Sequence, residues 1–438
     1  MSELRIKEKL TNLVNRNDIT KRLYSGVSWS LVGSIIGKIA QLIAFIIVAR
    51  LLGKEEFGKI GIIRSTIVMF TVFSTLGMST TATRYISLYR NFHPGKALNI
   101  YYFASKITIV FGLLIAVFFF VFSQTLAQKS LHDVSLSEEL QIGAFALMFL
   151  TINATQIGAL NGFENFKAVG INTIINGFFQ IVFIVFGTYL WGINGTIGGL
   201  VLAALVFTFQ LQYAIKPSIK NLKNNTTVKE TSKNASIFLK FSLPSLLSSV
   251  TLIPVLWWAK TLLIKTNGYE EMAVFDVSEQ WYYILLFIPS SIGNIILPIL
   301  TNTLMEGSKK QYKYLIKTNL FINIGVTFLL ALGIGLFSPL INRLYGKDFT
   351  DYYPMIVMLI TAIIYAANNV LGQVIVSKGK MWVGFGLNSL WAVWLILFSL
   401  LFIVKMNLGA LGLAYAMLIS YLLHSIAQGI VAFNYKID

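Results

Sequence analysis

Eight charged side chains sit where an apolar sequence makes them costly. Lys38, Arg64, Lys106, Lys240, Lys260 and Lys317 interrupt long runs of Leu, Ile, Val and Phe, and Asp276 and Glu279 interrupt another. Cations in a wet passage hold an anionic group, a phosphate above all, through charge-assisted hydrogen bonds. Opposite charges in facing positions instead make an ion pair or a gate. Nucleophilic and general-base chemistry lacks its parts: there is no cysteine, and His93, His132 and His424 are not spaced with an acid on one helical face. No metal site and no cofactor is expected.

The elements that carry these charges must be membrane helices. The 438 residues are 56% apolar and 12% charged, with a mean hydropathy of +0.71, which excludes a soluble fold. Apolar runs bounded by charges or turn residues predict twelve helices, near 24–49, 59–83, 99–124, 139–160, 168–190, 195–215, 237–265, 271–300, 314–340, 353–375, 382–404 and 408–432. The fold class is all-α integral membrane. Residues 1–22 are polar and basic without a cleavable signal, and Ile6, Leu10 and Leu13 beside Arg5, Lys7 and Lys9 suit a short amphipathic helix on the inner leaflet.

Lys and Arg gather in the N-terminal segment and the connections on its side of the membrane. By the positive-inside rule both termini are cytoplasmic, and an even number of spans agrees. The net charge of +17 is topological on this reading, and no nucleic-acid partner is expected. The longest connection on that side, 216–236, is rich in Lys and Asn and reads as a linker between an N-terminal bundle (23–215) and a C-terminal bundle (237–432), with a tail at 433–438.

The two bundles repeat each other at an offset of about 215 residues. Gly53-Lys54-Glu55-Glu56-Phe57-Gly58 falls on Gly268-Tyr269-Glu270-Glu271-Met272-Ala273, Gly77 on Gly293, Gly170 and Asn172 on Gly386 and Asn388, and Gly195-x-x-Gly198 on Gly409-x-x-Gly412. Six helices per half makes the repeat parallel, an arrangement that encloses a central cavity and belongs to transporters.

That frame sorts the charges. Lys38 lies about 18 Å from either helix end at 1.5 Å per residue, beyond easy snorkelling, and is the leading candidate for the cavity. Arg64, Lys106 and Lys260 are further candidate cavity cations, although Lys260 stands beside Trp257 and Trp258, where snorkelling outward competes. Lys240 and Lys317 are within reach of a cytoplasmic helix end. The repeat places Arg64 opposite Glu279, which predicts an ion pair or outer gate between them, with Asp276 nearby. Pro244 and Pro254 in the seventh helix and Pro289 and Pro298 in the eighth predict kinks in a moving gate.

The run Val27-Ser28-Trp29-Ser30-Leu31-Val32-Gly33 through Ala49-Arg50-Leu51-Leu52-Gly53, then Glu56-Phe57-Gly58, Gly77 and Ala82-Thr83-Arg84-Tyr85, resembles the polysaccharide biosynthesis branch of the multidrug/oligosaccharidyl-lipid/polysaccharide (MOP) exporter superfamily. Within it the chain is most similar to Wzx-type O-antigen flippases. The resemblance implies two six-helix bundles around a V-shaped, MATE-like cavity. It also implies a substrate of undecaprenyl-pyrophosphate-linked oligosaccharide, moved from the cytoplasmic to the outer leaflet of a bacterial inner membrane. Other polysaccharide-assembly membrane proteins are candidate partners. Two alternatives stay open: a cation-coupled multidrug antiporter of the same superfamily, kept in play by Asp276 and Glu279, and a membrane enzyme of polysaccharide assembly, disfavoured by the short outer loops.

Overall fold

A computed structural model of the chain describes Trp29 and residues 32–224, 243–305, 309–378 and 380–434. The expected amphipathic N-terminus, residues 225–236 of the expected linker, Lys240 and tail residues 435–438 lie outside the described residues. Helices α1 (Val32–Leu52), α2 (Lys54–Thr75), α3 (Met78–Tyr89), α4 (Pro94–Val121), the short α5 (Ser123–Leu126), α6 (Ser137–Gly162) and α7 (Phe166–Asn224) make the first half. The second half comprises α8 (Leu243–Asn267), α9 (Tyr269–Met305), α10 (Lys309–Leu336), α11 (Ser338–Tyr345), α12 (Tyr353–Ser377), α13 (Met381–Ser399) and α14 (Gly409–Asn434). There is no strand among the described residues.

Nine helices among the described residues are long and apolar enough to cross a membrane, against the twelve spans expected. Helix α7 is counted once but turns back on itself at Trp191 (φ −135°) and Gly192 (φ 57°, ψ −131°), so it is a hairpin of two arms, 166–190 and 193–224. Helices α8 and α9, which carry Lys260, Asp276 and Glu279, fall outside the nine.

Several helices begin about a turn earlier than expected, at Lys54, Pro94 and Lys309, and three breaks depart further from the sequence reading. The span expected at 59–83 is split into α2 and α3 by consecutive left-handed residues, Leu76 (φ 48°) and Gly77 (φ 68°). The second arm of α7 continues to Asn224 through Pro217, so the first part of the expected linker is helical. The span at 314–340 ends at Leu336, where Phe337 breaks it before α11.

The backbone carries the repeat more clearly than the side chains do. Gly53 and Gly268 share φ 85°, and Gly192 (φ 57°) is matched by Asn407 (φ 52°), asparagine being one of the few other residues that tolerate this region. Phe122 (φ −92°, ψ 8°) ends α4 before the buried Ser123. Phe337 (φ −96°, ψ 5°) precedes the buried Ser338 in the same way.

Small residues set the close helix crossings, as expected where lipid removes the hydrophobic drive and packing decides association. Across the α7 hairpin a Cβ on Gly195 would lie 1.8 Å from the Gly187 carbonyl oxygen. At the adjoining residues the hydroxyls of Thr188 and Thr196 bond at 2.8 Å.

The buried apolar side chains are distributed unequally. One large cluster spans both halves, including Phe45, Phe57, Ile60 and Leu147 from the first and Met272, Phe275, Met358 and Leu395 from the second. At the opposite end of the helices the clusters belong to single halves. One joins Met78, Ile86, Tyr101, Leu160 and Ile215, and the other joins Leu300, Tyr312, Ile316, Leu371 and Val374. The halves are thus welded at the end that carries Gly53 and Gly268 and have separate cores at the end that carries the lysine-rich connections.

Gly195→Ala should destabilise the protein by about 1–3 kcal/mol through overpacking of the hairpin. Gly198→Ala, whose added methyl meets nothing within 4 Å, should stay within about 0.5 kcal/mol of the parent. Thermal unfolding in detergent measures both.

Candidate functional site: a charged belt where the halves meet

The belt is built on the approach of α2 to α9. A Cβ on Gly58 would come 1.9 Å from the Tyr269 carbonyl oxygen, and one on Gly61 would come 3.1 Å from the Asp276 carboxyl carbon. Only glycine permits this spacing. The helices are therefore in backbone contact at Gly58, Gly61 one turn on packs against the Asp276 side chain, and the next residue on the same face of α2 is Arg64.

Arg64 reaches Asp276: its Nη1 donates to Oδ2 at 3.4 Å, and the guanidinium lies 3.7 Å from the centroid of Phe45. Asp276 also accepts from Gln280 Nε2 at 2.8 Å, and Gln280 Oε1 in turn accepts from the Tyr345 hydroxyl at 3.3 Å. One turn deeper, Lys260 of α8 donates to Glu279 Oε2 at 2.6 Å and to Ser65 Oγ of α2 at 3.3 Å. Trp257 Nε1 donates to Thr66 Oγ1 at 2.9 Å. Lys260, Asp276 and Glu279 are buried, while Arg64 keeps about 20% of its side chain exposed.

The expected pairing of Arg64 with Glu279 is corrected by this geometry. The approach at Gly58 and Gly61 brings Arg64 level with Asp276, one helical turn short of Glu279, and Lys260 already occupies Glu279 from α8. Lys260 is turned inward and does not snorkel past Trp257 and Trp258. The belt balances two cations against two carboxylates, so Arg64 and Lys260 are committed to acids here and are not free anion sites.

The remaining candidates lie elsewhere. Lys38 is half-buried on α1, next to the Gly37 contact with Thr173, and no acid is paired with it among the described residues. Lys106 and Lys317 are exposed. Pro254 lies inside α8, Pro289 lies buried inside α9, and Pro244 and Pro298 also fall within these two helices.

Four residues of the belt escaped the sequence reading: Ser65, Thr66, Gln280 and Tyr345. Gln280 carried a signal, since it stands four residues after Asp276 on one helical face. Tyr345 carried none, because its place depends on α11 folding back over Phe57, whose ring centroid is 6.0 Å away.

Other bonds across the halves gather at the same end. Lys54 pairs with Glu270 at 3.7 Å, Arg50 Nε donates to the Leu344 carbonyl at 2.5 Å, and the Tyr269 hydroxyl donates to the Leu131 carbonyl at 2.6 Å.

Removing one partner of a buried pair leaves an uncompensated charge, so Lys260→Met should lose about 3–5 kcal/mol. The double substitution Lys260→Met with Glu279→Met should recover most of that loss. A thermal-unfolding double-mutant cycle in detergent decides it, and additive losses would show that the pair is uncoupled.

Comparison with known proteins follows the same lines. A family model described as "Polysaccharide biosynthesis protein" matches residues 23–304. The EPS I polysaccharide export inner membrane protein EpsE of Ralstonia solanacearum is 28% identical over 193 residues, so the match spans 42% of each protein. The capsular polysaccharide biosynthesis protein CapF of Staphylococcus aureus is 22% identical over 90% of this chain and 95% of that one. Among solved structures, a multidrug resistance MATE family transporter of the MOP superfamily, in an inward-facing conformation, aligns with a TM-score of 0.77 at 15% identity over 92% of this chain and 97% of that chain. A MOP superfamily transporter from Pyrococcus furiosus aligns with a TM-score of 0.70 at 15% identity over 93% and 94%. A likeness at such identity speaks for the fold, and the family match for descent. The chain is a multi-pass membrane protein of MOP-transporter fold that belongs to the polysaccharide biosynthesis protein family.

Proposed function

We propose that the protein is a flippase that moves a polyprenyl-pyrophosphate-linked oligosaccharide from the inner to the outer leaflet by alternating access. In this reading the chain makes twelve crossings in two six-helix bundles, with both termini cytoplasmic. The observation that carries it is the unequal union of the halves. At one end the Arg64–Asp276 pair and the bond of Lys260 to Ser65 join them, while each keeps its own core at the other. Such a molecule rests closed on the outside and open to the cytoplasm, and the belt is the outer gate.

Alternating access requires the gate to open, and a neutral pair of ion pairs suits that task. The charges hold the closed state by geometry, and each acid keeps a local companion when α2 and α9 part: Asp276 keeps Gln280, and Glu279 keeps Lys260. Lys38, half-buried and with no acid paired to it among the described residues, is the cation assigned to meet a pyrophosphate. The prolines of α8 and α9 supply the bending. The names of EpsE and CapF, an export protein and a capsular polysaccharide protein, agree in substrate class. An inside-negative potential favours outward passage of an anion by about 2.3 kcal/mol per charge per 100 mV.

Glu279 Oε1 is buried without a hydrogen-bond partner. With the embedded Asp276, it favours the rival reading, a cation-coupled multidrug antiporter.

Two experiments test the proposal. Deletion of the gene should abolish surface polysaccharide, Lys38→Ala should reduce restored export about tenfold or more, and Lys38→Arg should retain most of it. A deletion that leaves surface polysaccharide intact and instead abolishes cation-driven dye efflux would replace the flippase by the antiporter. Because the chain has no cysteine, Lys54→Cys with Glu270→Cys supplies a clean cross-linking pair at the outer end. A short cleavable cross-linker should halt export, and its cleavage should restore it; unimpeded export while cross-linked would remove the gate assignment.

A further inference from the structure

A groove of about 460 Å³ lies within the first half between α4, α6 and the second arm of α7. Its wall is mixed: hydroxyls and amides of Tyr101, Ser105, Thr155, Gln156 and Gln212 lie at its base among apolar Ile109, Ile152, Phe209 and Ile219. It faces lipid. Helix α6 packs on α2 and α3 through Gly143, Gly158 and Gly162, and Ile152 and Gln156 lie on its opposite side by the 3.6-residue period. Since α2 is the helix that meets the second half, the groove opens away from the central interface. Its flanks agree, for Tyr102, Phe145, Phe209 and Tyr213 are all exposed.

Polar atoms at the base of an otherwise apolar groove cost free energy unless a polar group meets them, and the apolar walls suit the hydrocarbon part of an amphipathic molecule. Gln156 shows that a partner is lacking: it is about 5% exposed, its Nε2 donates to Gln212 Oε1 at 3.1 Å, and its own Oε1 has no hydrogen-bond partner. The face of α7 that lines the groove continues toward the basic end of the helix as Thr208, Gln212, Lys216, Ile219 and Lys223, all at helical spacing. Lys223 Nζ sits 6.0 Å from the centroid of Tyr102, which places the ammonium at the mouth. Both lysines are exposed. Basic pockets between membrane helices at the leaflet carrying such lysines recognise anionic headgroups.

We propose that this groove binds an anionic phospholipid of the inner leaflet. Lys216 and Lys223 hold the headgroup phosphate, and the hydroxyls and amides of the groove meet the glycerol and ester region below it. The site is separate from the outer gate and from Lys38, so it rests on the proposed reading only for which leaflet it faces and not for the transported substrate. It is a lipid site on the flank of the first half.

The test is native mass spectrometry of the full chain in detergent with phosphatidylglycerol or phosphatidylcholine added, alongside thermal unfolding with each lipid. The parent should retain phosphatidylglycerol in preference and be stabilised by it. Lys216→Ala with Lys223→Ala should lower that retention about tenfold, in line with the contribution of lysines near an anionic surface. Gln156→Leu should lower retention without changing the exposed charge. Lys310→Ala with Lys313→Ala, lysines of the second half, should behave as the parent. Should Gln156→Leu fail to fold, the Lys216 and Lys223 variant still decides. Equal retention of both lipids, unchanged retention in the Lys216 and Lys223 variant, or an equal loss in the Lys310 and Lys313 control would overturn the proposal. Displacement of phosphatidylglycerol by an equimolar polyprenyl phosphate would overturn it in favour of a docking place for transported lipid.

Discussion

The approach of α2 to α9 at Gly58 and Gly61 is the constraint on which the rest of the molecule depends. A charged side chain near the bilayer centre costs about 2.5–3.5 kcal/mol, and this interface holds four of them, three of them buried. They are tolerable only as pairs with good geometry and further hydrogen bonds. That geometry exists because two residues of α2 lack a Cβ. Any side chain at Gly58 would meet the Tyr269 carbonyl, push the helices apart, and carry Arg64 out of reach of Asp276.

The internal repeat explains how two helices that enter the membrane together come to face each other. Gly53 and Gly268 take the same left-handed turn, so α2 and α9 begin at the same depth and in the same direction. Two equivalent helices meeting near a common axis would place like residues together. The repeat has diverged so that opposite charges meet instead, with basic Arg64 on α2 and acidic Asp276 and Glu279 on α9. The same divergence gives α8 its Lys260 and prolines, which α1 lacks. Symmetry thus supplies the frame, and departure from it supplies the ion pairs.

The separate cores at the basic end have a matching cause. Past Leu76 and Gly77, α3 packs on α6 through Gly158 and Gly162, and this draws the end of the first half onto itself. Gly158 approaches the Ser79 carbonyl, while the Thr83 hydroxyl donates to the Gly158 carbonyl at 2.9 Å. The left-handed pair at Leu76 and Gly77 redirects the helix where a continuous span was expected.

Much was legible from residues alone. Hydropathy marked helices because lipid leaves the backbone no other way to satisfy its hydrogen bonds, and the repeated glycines marked the turns because few residues tolerate left-handed backbone. The embedded charges were also found, since each violates the local apolar pattern. Their partners were not. Arg64 was matched to Glu279 by the repeat offset, which fixes depth along the membrane only to about one turn and says nothing of what a third helix contributes. Lys260 arrives from α8 and takes Glu279, leaving Asp276 to Arg64. Composition and periodicity therefore determined that this chain is a helical membrane protein built as a repeat and carrying buried charge. Which charges neutralise one another, and at which end the halves are joined, was decided by tertiary packing, because a pair of ions is set by distances of a few ångströms between helices far apart in sequence.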